Sequence, residues 1–100
     1  MKEIQDLLQG INKNIGNRDE LLKIALDIVS NIDELAGEEA KAENMYYKEI
    51  ARKLEYGGKV SQAENEAKAG EDYMLKRQMA THIDINKSLF SIIKIFLDGK

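Results

Sequence analysis

Two facts together most limit what this chain can become. Apolar residues recur at alternating three- and four-residue spacings, and no proline interrupts any of its 100 residues. Proline removes an amide donor and clashes with the preceding turn, so its absence lets a periodic stretch run on as helix. Leu21, Ala25, Ile28, Ile32 and Leu35 follow a 4-3-4-3 pattern, the seam of a coiled coil. The expected fold class is all-α.

Three helical segments are predicted. The first spans about 2–15, with Ile4, Leu7, Leu8, Ile11 and Ile15 on one face and Gly10 as a weak point, since glycine costs about 1 kcal/mol relative to alanine inside a helix. The second spans about 18–56. Asn17 is placed to cap it, and Glu20, three residues on, to reach back in a capping box. Beyond Leu35 the apolar residues Ala36, Ala40, Tyr47, Ile50 and Leu54 predict a slip of about one residue in the seam, as expected where a repeat follows a helix of 3.6 residues per turn. The third helix is predicted over about 62–97.

Between the long segments lies "GGKVS", residues 57–61. A phosphate-cradling loop needs G-x-x-x-x-G-K-[ST] after a strand. Here Val60 follows Gly58-Lys59, and Lys53 stands where the first glycine belongs. The stretch reads as a bend, with Gly57 left-handed at the helix end and Ser61 with Glu64 forming a second capping box. A bend centred near Gly58 pairs residues whose numbers sum to roughly 117, opposing Leu54 to Ala63, Ile50 to Ala67, Tyr47 to Gly70 and Ile28 to Leu89. Near the bend large residues then meet small ones, as interdigitated packing requires. The expected architecture is one domain over 1–100: a long antiparallel helical hairpin, coiled-coil-like, with the short first helix completing a three-helix bundle at the open end.

Composition narrows the chemistry. Without cysteine there is no disulfide, thiolate metal site or cysteine nucleophile, which fits a cytoplasmic location. The amino-terminal "MKEIQDLLQG" lacks the apolar core of a signal peptide. His82 is the only histidine, and the paired Glu-x-x-His motifs of di-metal bundles do not occur. Ser30, Ser61, Ser88 and Ser91 are accounted for as caps or helix surface. The expectation is a protein that is not an enzyme and uses no cofactor or metal.

Two surfaces invite partners. "SLFSIIKIFL", Ser88 to Leu97, is apolar on more than one face. It is far shorter than the roughly 20 residues a membrane span requires, so no membrane association is expected. Leu89, Phe90, Ile92, Ile93, Phe96 and Leu97 are the predicted interface, for a second copy of the chain or another protein, because monomers rarely leave large apolar patches open to water. Near the bend, Lys48, Arg52 and Lys59 lie among Tyr46, Tyr47 and Tyr56, the mixture of cations and stacking aromatics used by single-strand nucleic-acid binders. Glu38, Glu39, Glu43, Glu49 and Glu55 share that segment, and the net charge is −3, so nucleic-acid binding is the alternative and protein interaction the leading expectation.

The segment "AKAENMYYKEIARKLEYGGKVSQAENEAKAGEDY", Ala40 to Tyr73, resembles small helical-hairpin accessory proteins from the early region of Gram-positive phages and prophages. The shared features are Tyr47-Lys48, Gly58-Lys59-Val60-Ser61, Ala63 with Ala67, and Asp72-Tyr73. The resemblance covers about a third of the chain. It implies a phage accessory protein that works near recombination and replication factors or against a host defence protein, and it supplies no catalytic residue. "SLFSIIKIFLDGK" is more apolar than the charge-interrupted end expected of that group, which adds weight to an interface there.

Overall fold

A computed structural model describes residues 1–98. It contains four helices and, among the described residues, no strand: α1 (Ile4–Lys13), α2 (Arg18–Glu55), α3 (Val60–Lys68) and α4 (Glu71–Asp98). The all-α expectation holds. The chain forms two compact units, Met1–Leu35 with His82–Lys100, and Ala36–Thr81.

The first unit is a three-helix bundle in which α2 packs against α4 and α1 covers both. Its core comprises Leu7 and Ile11 from α1, Leu21, Ala25 and Ile28 from α2, and Leu89 and Ile93 from α4. Gly10, read from the sequence as a weak point, has a different role. A Cβ there would lie 3.1 Å from Ile24 Cδ1, so the missing side chain lets α1 approach α2 closely. α1 is shorter than predicted, and Leu8 and Ile15 face outward, while Leu7 and Ile11 carry the buried face. Asn17 caps α2 as expected, its Oδ1 accepting from the Glu20 amide at 3.3 Å. The Glu20 carboxylate turns to Lys23 instead of back to the cap.

Two asparagines lie within this apolar unit, Asn31 at 3% and Asn86 at 2% exposure. Asn31 Nδ2 donates to Asn86 Oδ1 at 3.2 Å and to the Lys2 carbonyl at 3.0 Å, and the Lys2 amide donates to Asn31 Oδ1 at 3.1 Å. Asn86 Nδ2 donates to the His82 carbonyl at 2.9 Å. The Asn31 amide therefore pairs with the Lys2 backbone as a neighbouring strand would, pinning the segment before α1. Asn31 of α2 and Asn86 of α4, joined by their side-chain hydrogen bond, have numbers summing to 117.

In the second unit the C-terminal part of α2 pairs with α3 and the start of α4. Its numbers sum to 119, as at Lys53 with Glu66 and Tyr46 with Tyr73. The seam also corrects the sequence reading. The predicted slip to Tyr47, Ile50 and Leu54 does not occur. Tyr46 is 6% exposed and Tyr47 56%. Within α2, burial keeps the strict repeat through Leu35, Glu39, Ala42, Tyr46, Glu49 and Lys53, although three of those positions are charged. Helical geometry prevails over local apolarity here, because Glu49 and Lys53 bury their methylenes while keeping their charged ends near water.

The bend is a Schellman cap. Gly57 has φ +85°, its amide donates to the Leu54 carbonyl at 3.0 Å, and the Gly58 amide donates to the Lys53 carbonyl at 3.4 Å. The second capping box is absent. The next helix starts earlier than predicted, with Val60 inside it and Lys59 at the cap, and no side chain bonds the cap. The single third helix predicted over 62–97 is interrupted at Ala69-Gly70. The Gly70 amide bonds the Ala67 carbonyl at 3.0 Å in a tight turn, and a Cβ on Gly70 would crowd that same carbonyl at 3.2 Å.

Two stability measurements test this description. Gly37 lies within α2, and a methyl group added there would meet nothing within 4 Å, so Gly37→Ala should stabilise by about 1 kcal/mol in chemical denaturation. Asn31→Ala leaves the Asn86 oxygen and both Lys2 backbone groups without their partner and should cost about 1–3 kcal/mol, whereas replacing Asn31 and Asn86 together by leucine should be close to neutral.

Candidate functional site

The six residues predicted as an interface do not form one exposed surface. Leu89 and Ile93 are core, and Phe90, Ile92, Phe96 and Leu97 are half-buried against it. The third helix of the unit accounts for this: α1 occupies one flank of α4, so most of the apolar run is consumed internally. Of the apolar residues in that run, Ile95 alone stays largely exposed, at 66%.

Apolar surface is left open on α2. Leu22, Leu26 and Val29 are exposed at 40%, 70% and 41%. They follow 4-3 spacing and therefore share one stripe of the helix. Asp19 precedes Leu22 by three residues and Asp33 follows Val29 by four, so the same stripe begins and ends in a carboxylate. Beside it runs a shallow groove between α2 and α4, lined by Val29, Ile32, Lys87, Phe90, Ser91 and Lys94. The Lys94 ammonium sits 6.0 Å from the Phe90 ring centre, a cation–π distance. No carboxylate lines this groove, and neither Lys87 nor Lys94 forms an ion pair among the described residues. The sequence holds a signal for this stripe, the 19-22-26-29-33 spacing, but the apolar carboxy-terminal run is more conspicuous.

The tyrosines of the second unit are arranged for packing. Tyr46 is buried with its ring 5.2 Å from both Tyr47 and Tyr73, and Lys76 lies 5.9 Å from its centre. A ring enclosed in this way cannot stack a nucleobase. Tyr56 is open at 87%. Lys48 and Arg52 are exposed but share their shallow depression with Glu49 and Asp72, and Lys59 sits at the start of α3. Of the residues suggested for nucleic-acid binding, Tyr46 is thus enclosed, and Lys48 and Arg52 lie among acids. Lys76 faces the Tyr46 ring and forms no ion pair with Asp72, whereas Glu49 and Lys53 approach to 4.0 Å.

His82 is exposed, next to a cleft lined by Met1 to Gln5, Leu35 and Asn86. Among the described residues no group of three or more histidine, aspartate or glutamate side chains is placed to hold a metal ion. No helix among them is long and apolar enough to cross a membrane. Comparison with protein-family models, with curated proteins and with solved structures finds no match to this chain.

The strongest ion pair of the second unit joins Lys53 Nζ to Glu66 Oε2 at 3.0 Å. That hydrogen bond, then one from the Gln62 amide, then the Lys53 charge hold the Glu66 carboxyl below the usual carboxylate range. A carboxyl depressed in the folded state contributes stability above its unfolded pKa and loses it as pH falls through the folded value. Wild type should therefore melt higher than Glu66→Gln at pH 7, and the two should converge as pH falls well below the ordinary value of 4.5. Thermal melts followed by circular dichroism at both ends of that range check this, and a gap that persists in acid would remove the ion pair as its source.

Proposed function

We propose that this chain is a non-enzymatic protein–protein interaction module that self-associates. The observation that carries the reading is the exposed stripe of Leu22, Leu26 and Val29 on a helix whose adjoining face, Leu21, Ala25 and Ile28, is already buried in the bundle core. A helix needs one apolar face to pack into its own bundle. α2 has that face and then a second one. Apolar surface concentrated in this way and rimmed by charge marks an association site. Self-association through the three-helix unit leaves the charged surface of the second unit free for a different protein. In the phage setting implied by the likeness of Ala40 to Tyr73, that protein is a recombination or replication factor, or a host defence component that the chain inhibits.

The alternative, an accessory single-stranded nucleic-acid binder, draws its support from exposed Lys48, Arg52 and Tyr56. It is the weaker reading because Tyr46 is enclosed and because Glu49 and Asp72 neutralise the neighbouring cations.

Light scattering on a sizing column tests the proposal. Wild type should show a mass above the 11.3 kDa of one chain, and that mass should rise with concentration. Leu26→Asp should remain monomeric with unchanged helicity, since the side chain is 70% exposed and contributes little to the bundle's own core. Monomeric wild type at every concentration would overturn self-association.

A further inference from the structure

The contact of α1 with α2 keeps one phase through the turn that separates them. α1 runs antiparallel along α2. Gly10 faces Ile24 and Lys2 is bonded to Asn31, so facing residues have numbers summing to 34 or 33. Leu7 and Gly10 on α1, and Leu21, Ile24, Ile28 and Asn31 on α2, lie along that contact or in the core beneath it. With Asn14 and Asn17 added, positions 7, 10, 14, 17, 21, 24, 28 and 31 advance by alternating steps of three and four. Two helices joined by an arbitrary turn have no reason to share a phase. Here one coiled-coil seam runs from α1 into α2 as though residues 14–17 were helical too. No proline stands in that stretch. The turn depends on left-handed Gly16, at φ +91°, and on the Asn17 cap. A Cβ on residue 16 would meet nothing within 4 Å, so glycine is there for its backbone alone.

From this we infer that two copies of the chain exchange α1, each straightening residues 14–17 so that α1 and α2 become one helix. The two long helices then lie antiparallel about a two-fold axis at Asn17. The hairpin already folds about that residue, so each α1 reaches the copy's α2 in its present register. Gly10 meets the copy's Ile24, and Lys2 meets the copy's Asn31. The contacts of α1 that hold one bundle together are all kept, now between copies. Exchange of an identical element readily gives dimers, and a short hinge invites it. Asn17, exposed in the single bundle, meets the copy's Asn17 at the axis, and asparagine at a seam position is a residue that fixes register. This route does not use the stripe of Leu22, Leu26 and Val29 and stands or falls separately from it. It is slow, since Leu7 and Ile11 must leave one core before entering another, so chains folded apart stay apart on a sizing column.

Gly16→Ala tests the exchange. Alanine resists the left-handed conformation of the turn and is about fivefold more favourable than glycine in a helix. Each dimer has two hinges, so the dimer constant should rise about thirtyfold. Asn17→Ala, which loses the cap to the Glu20 amide, should act in the same direction. Labelled and unlabelled full-length chains of each variant and of wild type are unfolded, mixed and refolded together at high concentration. Light scattering then gives the mass, and an isotope-filtered NOE is sought between the Ile24 δ-methyl and the Gly10 α-protons. Both variants should show twice the 11.3 kDa of one chain, with that NOE running between copies and surviving the addition of Leu26→Asp. Wild type should give the same dimer in smaller amount. A dimer whose NOE stays within one copy would overturn the exchange and leave association through the stripe in place. Chains that refold only as monomers, in wild type and both variants, would overturn it as well.

Discussion

The structure depends on one geometric constraint, the unbroken repeat of α2. Positions 21, 25, 28, 32, 35, 39, 42, 46, 49 and 53 hold to alternating steps of four and three, and each of them is buried or half-buried whether its occupant is apolar or charged, with Asn31 buried beside them. From Leu21 to Leu35 the occupants are apolar and the unit they build has an apolar core. From Glu39 to Lys53 they include two glutamates and a lysine, and the second unit buries only Ala42, Tyr46, Ala63 and Ala67. What holds it is therefore shared among alanine-tight helix approach, the tyrosine cluster, and the ion pair of Lys53 with Glu66. Each of these is individually modest, since water screens an exposed ion pair and holding two long side chains together costs entropy. Local opening should begin there and not in the first unit.

Within the three-helix unit the asparagine pair has a different purpose from the leucines around it. Apolar side chains make α2 and α4 adhere in several registers at similar cost, but Asn31 reaches Asn86 in only one. A buried polar pair that is satisfied in one alignment and unsatisfied in others disfavours the others, the role known for single asparagines in coiled-coil seams. By also taking both backbone groups of Lys2, Asn31 fixes where α1 begins its descent across the bundle. Gly10 then permits the close approach to Ile24. Register and third-helix placement thus converge on one side chain.

Much of this is legible in the residues. The helical class, the Asn17 cap and the Gly57 bend all rest on local chemistry or on spacing that the chain states openly, whereas the register near the bend falls at 119 and not at the expected 117. Three features are not legible, for physical reasons. The seam beyond Leu35 passes through Glu39, Glu49 and Lys53, so a search for apolar residues drifts to Tyr47, Ile50 and Leu54. The break at Gly70 depends on how a turn closes onto the Ala67 carbonyl, which spacing does not encode. The carboxy-terminal run resembles an interface because its apolar residues outnumber what one antiparallel partner can cover. α1 provides the extra cover, and the open surface passes to Leu22, Leu26 and Val29, whose spacing is overshadowed by the stronger seam on the same helix.

The three-helix unit leaves one α2 stripe open, and whether a second copy of the chain covers it decides how the molecule works. Methyl spectra recorded through a dilution series answer this most directly, because every leucine, isoleucine and valine reports separately. Signals of Leu22, Leu26 and Val29 should shift together with concentration, Ile32 beside the groove should follow, and Leu54, Leu75 and Val60 should stay fixed. Shifts confined to the second unit, or spectra unchanged across the series, would contradict it.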